Sequence, residues 1–254
     1  MLAYEGALAA LAQVSLATIR ELEVGLHERL GRTHLLVGHL EAADAAFARM
    51  LEAAQATGDR AGEGRALVWS SYVRRRLYQP GASETAGEAA LRVASELGEP
   101  RLLGLAHWNL GHLHEVGGHL EKSLHHAVEA ERMARAGAEP YILSRSLDVQ
   151  SLLAVWRGDY PEGERLAREA LALARETEAP VRRGEHQSIA CLALGEQGQY
   201  MEAHRVLLAG VALAESLGER YYLSKLLNNV GWLYHELGDP HAARAWHARL
   251  GGRP

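Results

Sequence analysis

Three short stretches decide the fold: Gly158-Asp159-Tyr160, Gly198-Gln199-Tyr200 and Gly238-Asp239-Pro240, each 40 residues after the last. Gly118-His119-Leu120 stands 40 residues before the first of them, and Gly38-His39-Leu40 stands 80 before that. The missing member falls at Tyr78, in Tyr78-Gln79-Pro80-Gly81. Six units therefore recur every 40 residues with no net insertion. The register holds elsewhere. Gly31, Ser71, Gly111, Ser151, Cys191 and Gly231 precede the turns by seven residues, and Ala43, Ser83, Ser123, Gly163, Ala203 and Ala243 follow them by five. All twelve are small, as close approach of two helix backbones requires. Ala54, Ala94, Ala134, Ala174 and Ala214 recur near the unit ends. Pro100, Pro140 and Pro180 share one phase, where proline suits the first turn of a helix.

Between these marks the apolar residues follow helical spacing, as in Leu166, Ala167, Ala170, Leu171, Leu173 and Ala174. Each unit reads as helix–turn–helix, with the glycine as a helix stop. One such unit cannot bury its apolar faces alone, but stacked units can. The expected fold is all-α: a right-handed α-solenoid of six 40-residue units over 1–254. An N-terminal helix over 1–20 precedes repeats at about 21–60, 61–100, 101–140, 141–180, 181–220 and 221–254.

Composition agrees. Ala (43) and Leu (41) make up a third of the 254 residues, while Ile occurs three times and Phe once. That excludes a β-rich fold, which needs β-branched and aromatic residues. No apolar run approaches the length of a membrane span. Met1-Leu2-Ala3-Tyr4-Glu5 lacks the basic start of a signal peptide. The single cysteine, Cys191, allows no internal disulfide and fits a reducing compartment, so a cytoplasmic location is expected. A net charge of −5 argues against a general nucleic-acid binder.

The units resemble tetratricopeptide repeats. The resemblance rests on Val230-Gly231-Trp232-Leu233-Tyr234 with Gly238 and Ala243, on Leu30-Gly31 with Gly38, Ala43 and Phe47, and on Tyr160 with Ala170-Leu171, and it covers about residues 21–250. The 40-residue period is similar to that of MalT-like and signal-transducing ATPase regulators of bacteria, kinesin light chain and Leu-Gly-Asn scaffolds. Repeats 2 and 4 depart most, with Ser70-Ser71 and Gln150-Ser151 in place of Leu-Gly. Residues 1–17 fit the second helix of a preceding unit, so either a longer native chain or self-association through that helix is expected.

The resemblance implies a concave groove lined by the first helix of each unit. By register the groove holds Arg65, Trp69, Tyr72, Arg75 and Arg76 in repeat 2, Trp108, Asn109, His112 and Glu115 in repeat 3, and Arg145, Leu152 and Trp156 in repeat 4. Lys225, Asn228, Asn229, Trp232 and His235 follow in repeat 6, with Glu28, Arg29, Arg32 and Leu36 in repeat 1 and Glu185, Ser188 and Glu196 in repeat 5. Trp, Tyr and Arg dominate interface energetics. The tryptophans are expected as apolar walls, Arg65, Arg75, Arg76 and Arg145 as anion partners, and Asn109, Asn228 and Asn229 as main-chain clamps. An amide serves there because it both donates and accepts. The implied function is a scaffold for a protein or peptide segment, acidic or carboxylate-bearing. The alternative is the ligand- or effector-sensing region of a larger bacterial signalling ATPase, cyclase or transcription activator.

Fourteen histidines raise the question of a metal. His112 and His114 point apart on a helix, about 200° at 100° per residue. His114-Glu115 and His235-Glu236 lack the second histidine of a zinc helix. His27, His34, His107 and His114 hold phases where the family carries aromatics, so they read as packing residues. Arg74-Arg75-Arg76 beside Trp69 and Tyr72 suits an acidic peptide better than a nucleic-acid strand. No metal, cofactor or catalytic set is expected, and no enzymatic activity.

Overall fold

The computed structural model describes residues 4–6, 17–177, 183–218 and 220–251. Among them no strand occurs, and the chain is an α-solenoid of helical hairpins. The helices are α1 (Ala17–Leu36), α2 (Leu40–Thr57), α3 (Arg60–Arg76), α4 (Pro80–Leu97), α5 (Pro100–Val116), α6 (Leu120–Ala136), α7 (Pro140–Trp156), α8 (Tyr160–Thr177), α9 (Arg183–Glu196), α10 (Tyr200–Leu217), α11 (Arg220–Glu236) and α12 (Pro240–Gly251). Odd helices open a repeat and even helices close it. The N-terminal helix expected over 1–20 lies mostly outside the described residues, as does Pro180.

The turns follow from the residues that mark them. Gly38, Gly118, Gly158, Gly198 and Gly238 all adopt φ between 74° and 81°, which glycine enters without steric cost. The next amide closes the helix end: His39 N donates to His34 O at 2.9 Å, and Asp159 N to Ala154 O at 2.9 Å. In two turns the following aspartate caps the next helix. Asp159 Oδ1 accepts from Glu162 N at 3.3 Å, and Asp239 Oδ1 from Ala242 N at 2.9 Å. Pro100 and Pro140 open α5 and α7 as their phase predicts.

Tyr78 departs from the rule. It holds the glycine position of its turn at φ 58° with 93% of its surface exposed. A bulky residue in that conformation costs about 1–2 kcal/mol, and so exposed a ring recovers little by packing. Tyr78→Gly is therefore expected to stabilise the α3–α4 hairpin by up to about 1 kcal/mol. Slower amide exchange across that hairpin checks this; faster exchange would show that the ring, not the backbone, decides the turn.

The small-residue positions are where paired helices touch. Ser71 Oγ donates to Ser83 O at 2.7 Å and Ser83 Oγ returns a bond to Ser71 O at 2.8 Å. Ser123 Oγ donates to Gly111 O at 2.7 Å, and Ser151 Oγ to Gly163 O at 2.6 Å. The serines of repeats 2 and 4 thus keep the close approach and add a buried hydrogen bond to it. Gly31 answers the one phenylalanine: a Cβ there would stand 2.5 Å from the Phe47 ring.

The chain divides into two compact bodies, Met1–Gly137 and Ala138–Pro254. In the first, hairpins α1–α2, α3–α4 and α5–α6 stack in order; in the second, α7–α8, α9–α10 and α11–α12 do. Within each body the odd helices also meet one another, α1–α3–α5 and α7–α9–α11, and so line one face. Phe47, Met50, Val73, Leu102 and Leu110 are buried in the N-terminal body. Cys191, Leu207, Leu226, Val230 and Leu233 form the C-terminal core.

Candidate functional site

The odd-helix face of the N-terminal body carries a ladder of aromatic rings. Phe47 of α2 stacks on Trp69 of α3, with centroids 5.9 Å apart and planes 14° apart. Trp69 meets Tyr72 edge-on at 6.0 Å, and Tyr72 meets Trp108 of α5 at 5.8 Å. Such pairs add about 0.5–1.5 kcal/mol beyond the area they bury. The ladder crosses three helices because residues 69 and 72 share one stripe of α3 while 47 and 108 project from its neighbours.

These rings are not open walls. Trp69 and Tyr72 are buried, and Trp108 is 2% exposed. Arginines cover the ladder: the Arg32 guanidinium lies 5.4 Å from the Trp69 ring centre, and that of Arg75 lies 5.1 Å from the Tyr72 ring centre. Each guanidinium lies over a π-face; Arg32 is exposed, while Arg75 is half-buried with its Nε buried, which leaves the outer N–H groups to meet a carboxylate.

Several of the other basic residues are committed elsewhere, whereas Arg29 of α1 is exposed. Arg65 Nε donates to Glu28 at 3.2 Å, and its Nη2 is 4.0 Å from Asp59. Arg74 is held by Asp44 at 3.3 Å. Arg145, expected as an anion partner, is 2% exposed, with its guanidinium 5.4 Å from the Tyr141 ring. Arg76 is half-buried. Among the described residues Arg32 and Arg75 have no ion-pair partner. Phe47 is the ladder member that sequence reasoning left outside the site; its signal was the match between the single phenylalanine and Gly31.

The expected amide clamps separate into three cases. Asn109 is 0% exposed, and neither Nδ2 nor Oδ1 has a hydrogen-bond partner. Asn229, in the same phase, is spent on the fold: its Nδ2 donates to Ser188 O at 3.1 Å and to Ser188 Oγ at 2.8 Å. Asn228 is exposed, and its main-chain oxygen lies 3.3 Å from His247 Nε2. Asn109 and the half-buried Asn229 differ in the residue 41 positions earlier, Val68, which has no polar side chain, in one case and Ser188 in the other.

The C-terminal body gathers less. Trp232 is half-buried on Gly195, where a Cβ would stand 2.7 Å from its ring. Lys225 is half-buried, and Trp156, at the end of α7, is 50% exposed. A cavity of about 240 Å³ opens over Leu171, Leu194 and Val206. Both basic residues on its rim are neutralised, Arg168 by Glu164 at 2.6 Å and Arg205 by Glu202 at 2.5 Å. Cys191 is buried, burial pushes its thiol up to about 12, and Sγ donates to Ser188 O at 2.9 Å. That is a packing cysteine and not a nucleophile.

His112 lies beside Glu115, Nδ1 to Oε2 at 2.5 Å. On the other side of α5, His107 and His114 meet His125 and His126 of α6: the Nδ1 atoms of His107 and His126 are 3.0 Å apart. Among the described residues no group of three or more His, Cys, Asp or Glu has the geometry to hold a metal.

The architecture has counterparts among solved structures. The apo form of RapI superposes with a TM-score of 0.74 at 12% identity, over 98% of this chain and 88% of that one. A Rap protein complexed with competence and sporulation factor gives 0.72 at 16%, over 96% and 76%. A STAND protein with a tetratricopeptide repeat sensor, PH0952 from Pyrococcus horikoshii, gives 0.64 at 14%, over 98% of this chain and 39% of that one. The chain has the tetratricopeptide-repeat fold. No family model and no curated sequence matches it. Among the described residues no helix of this solenoid is long and apolar enough to cross a membrane.

Proposed function

We propose that this solenoid is a binding scaffold that takes an acidic protein or peptide segment on the odd-helix face of its N-terminal body. One observation carries the reading: Arg32 and Arg75 are stacked on buried aromatic rings and have no carboxylate of their own among the described residues. Two cations held in place at no ion-pair benefit to the fold suit an incoming anion. Their order is already established by the fold, so little side-chain entropy is lost on binding. The likeness to a Rap protein complexed with competence and sporulation factor supports a binding role. The binding role is taken to be non-catalytic.

A second reading makes the chain the sensing region of a larger signalling protein. It is favoured by the likeness to the STAND protein with a tetratricopeptide repeat sensor, of which this chain matches 39%.

The test is selection of a random peptide display library on the folded wild-type chain. Enrichment of segments with a carboxylate near an apolar side chain is expected. Arg75→Glu should weaken the selected peptides at least about tenfold, near 1.4 kcal/mol, with helix content unchanged. Enrichment of basic or uncharged segments, or equal affinity for Arg75→Glu, would overturn the reading.

A further inference from the structure

The cluster between α5 and α6 is built of rings that the binding face does not use. His107 and His114 come from α5, His119 from the turn, and His125 and His126 from α6. His126 sits at the centre: its Nδ1 is 3.0 Å from His107 Nδ1, its ring stacks on His114 at 5.5 Å, and His125 is 5.3 Å away. His114 also meets His119 at 6.0 Å, and His107 meets His125 at 6.5 Å. The register shows that this arrangement is particular to repeat 3. At the position of His126 the neighbouring repeats carry Ala46, Ala86, Leu166 and Val206, and at that of His107 repeats 2, 4 and 6 carry Leu67, Leu147 and Leu227. Repeat 1 has the matching trio His27, His34 and His39 but alanines, Ala45 and Ala46, where repeat 3 has His125 and His126.

We infer that the His107–His126 contact, backed by His114 and His125, is a proton-operated latch that holds α6 on α5 when neutral and releases it on acidification. The contact needs one ring nitrogen to donate and the other to accept. Once both rings are protonated no accepting lone pair is left, and N–H is set against N–H. Protonation also places positive rings against one another across a half-buried helix interface.

The surroundings favour the neutral form. Burial holds His107, His114 and His126 below the usual histidine range, His126 down to about 4, where neighbouring His107, His114, His125 and Lys122 add to the effect. The opposing charges are few. Glu84 and Glu88 of α4 act on His114, and Glu129 of α6 acts on His107. Glu129 is itself taken by Arg132 at 2.7 Å, and Arg132 opposes protonation of His107. A ring held low in the folded state stabilises it fully above the ordinary value of 6.5, and that stability is lost as pH falls from there toward about 4. The latch stands on this geometry alone. If the binding proposal also holds, release would disturb α5, the helix that carries Trp108 to the ladder.

Amide exchange of the full chain, expressed as protection factors at pH 7 and pH 5, tests the latch. Protection in α5–α6 is expected to fall on the order of 20-fold from His126 alone, while α3–α4, which contain no histidine, change by less than about threefold. His126→Leu, with the residue that repeat 4 carries, should shrink the α5–α6 change by about an order of magnitude and leave the smaller share of His107 and His114. His107→Leu provides the same test should His126→Leu fold poorly. Unchanged protection in wild type, an equal loss in α3–α4, or undiminished pH dependence in the leucine variants would overturn the inference.

Discussion

Trp108→Ala is expected to cost the N-terminal body about 3–5 kcal/mol, the range for truncating a buried aromatic. Trp108 is 2% exposed, and its ring ends the ladder against Tyr72 at 5.8 Å. Removal leaves a void between α3 and α5 that backbone relaxation fills only in part. In a solenoid the loss concentrates on the damaged repeat and its neighbours. Exchange protection of α3 and α5 should therefore fall several hundredfold, about 1.4 kcal/mol per decade, with the C-terminal body much less affected. A loss below about 1 kcal/mol would mean that the ring stands at a solvent-facing wall after all.

The next residue carries the opposite expectation. Asn109 is fully buried, with neither amide atom bonded. A buried polar group without a partner costs about 1–3 kcal/mol, and an apolar side chain of similar shape removes that cost. Asn109→Leu should raise the stability of α5 by about that amount. Val149 and Ile189 occupy this register in repeats 4 and 5, so an apolar residue is compatible with the helix packing. The same change at Asn229 would break its two bonds to Ser188 and should lower stability. Denaturation midpoints of both variants check the pair. A destabilised Asn109→Leu would show that its amide is satisfied in solution.

These two neighbours show where sequence reading stops. The repeat was legible because glycine turns and small contact residues recur at fixed register and backbone chemistry dictates both. The stripe that faces the odd-helix side was legible too, since 65, 69, 72 and 76 follow helical spacing. How deep each residue lies was not, because depth is set by a neighbouring repeat about 40 residues away. Trp108 and Trp156 are the same residue type in the same kind of helix, yet one is 2% and the other 50% exposed. Arg65 and Arg75 read alike in sequence, but Glu28, 37 residues before Arg65, neutralises only the former. Asn109 and Asn229 diverge through Val68 and Ser188. Of the four histidines at aromatic phases, His34 and His114 are buried and His27 and His107 half-buried, and the facing of His107 and His126 needed the hairpin closed.

Arg32 and Arg75, poised on Trp69 and Tyr72, are proposed to receive the carboxylate of a bound segment. The most direct test is a charge-swap cycle, measured by calorimetric titration with a peptide selected on the wild-type chain. Arg75→Glu should weaken the acidic peptide at least about tenfold, and a peptide with lysine in place of the contacting acid should regain much of that loss on the variant. Equal affinity in all four combinations would contradict the claim and place recognition away from this face.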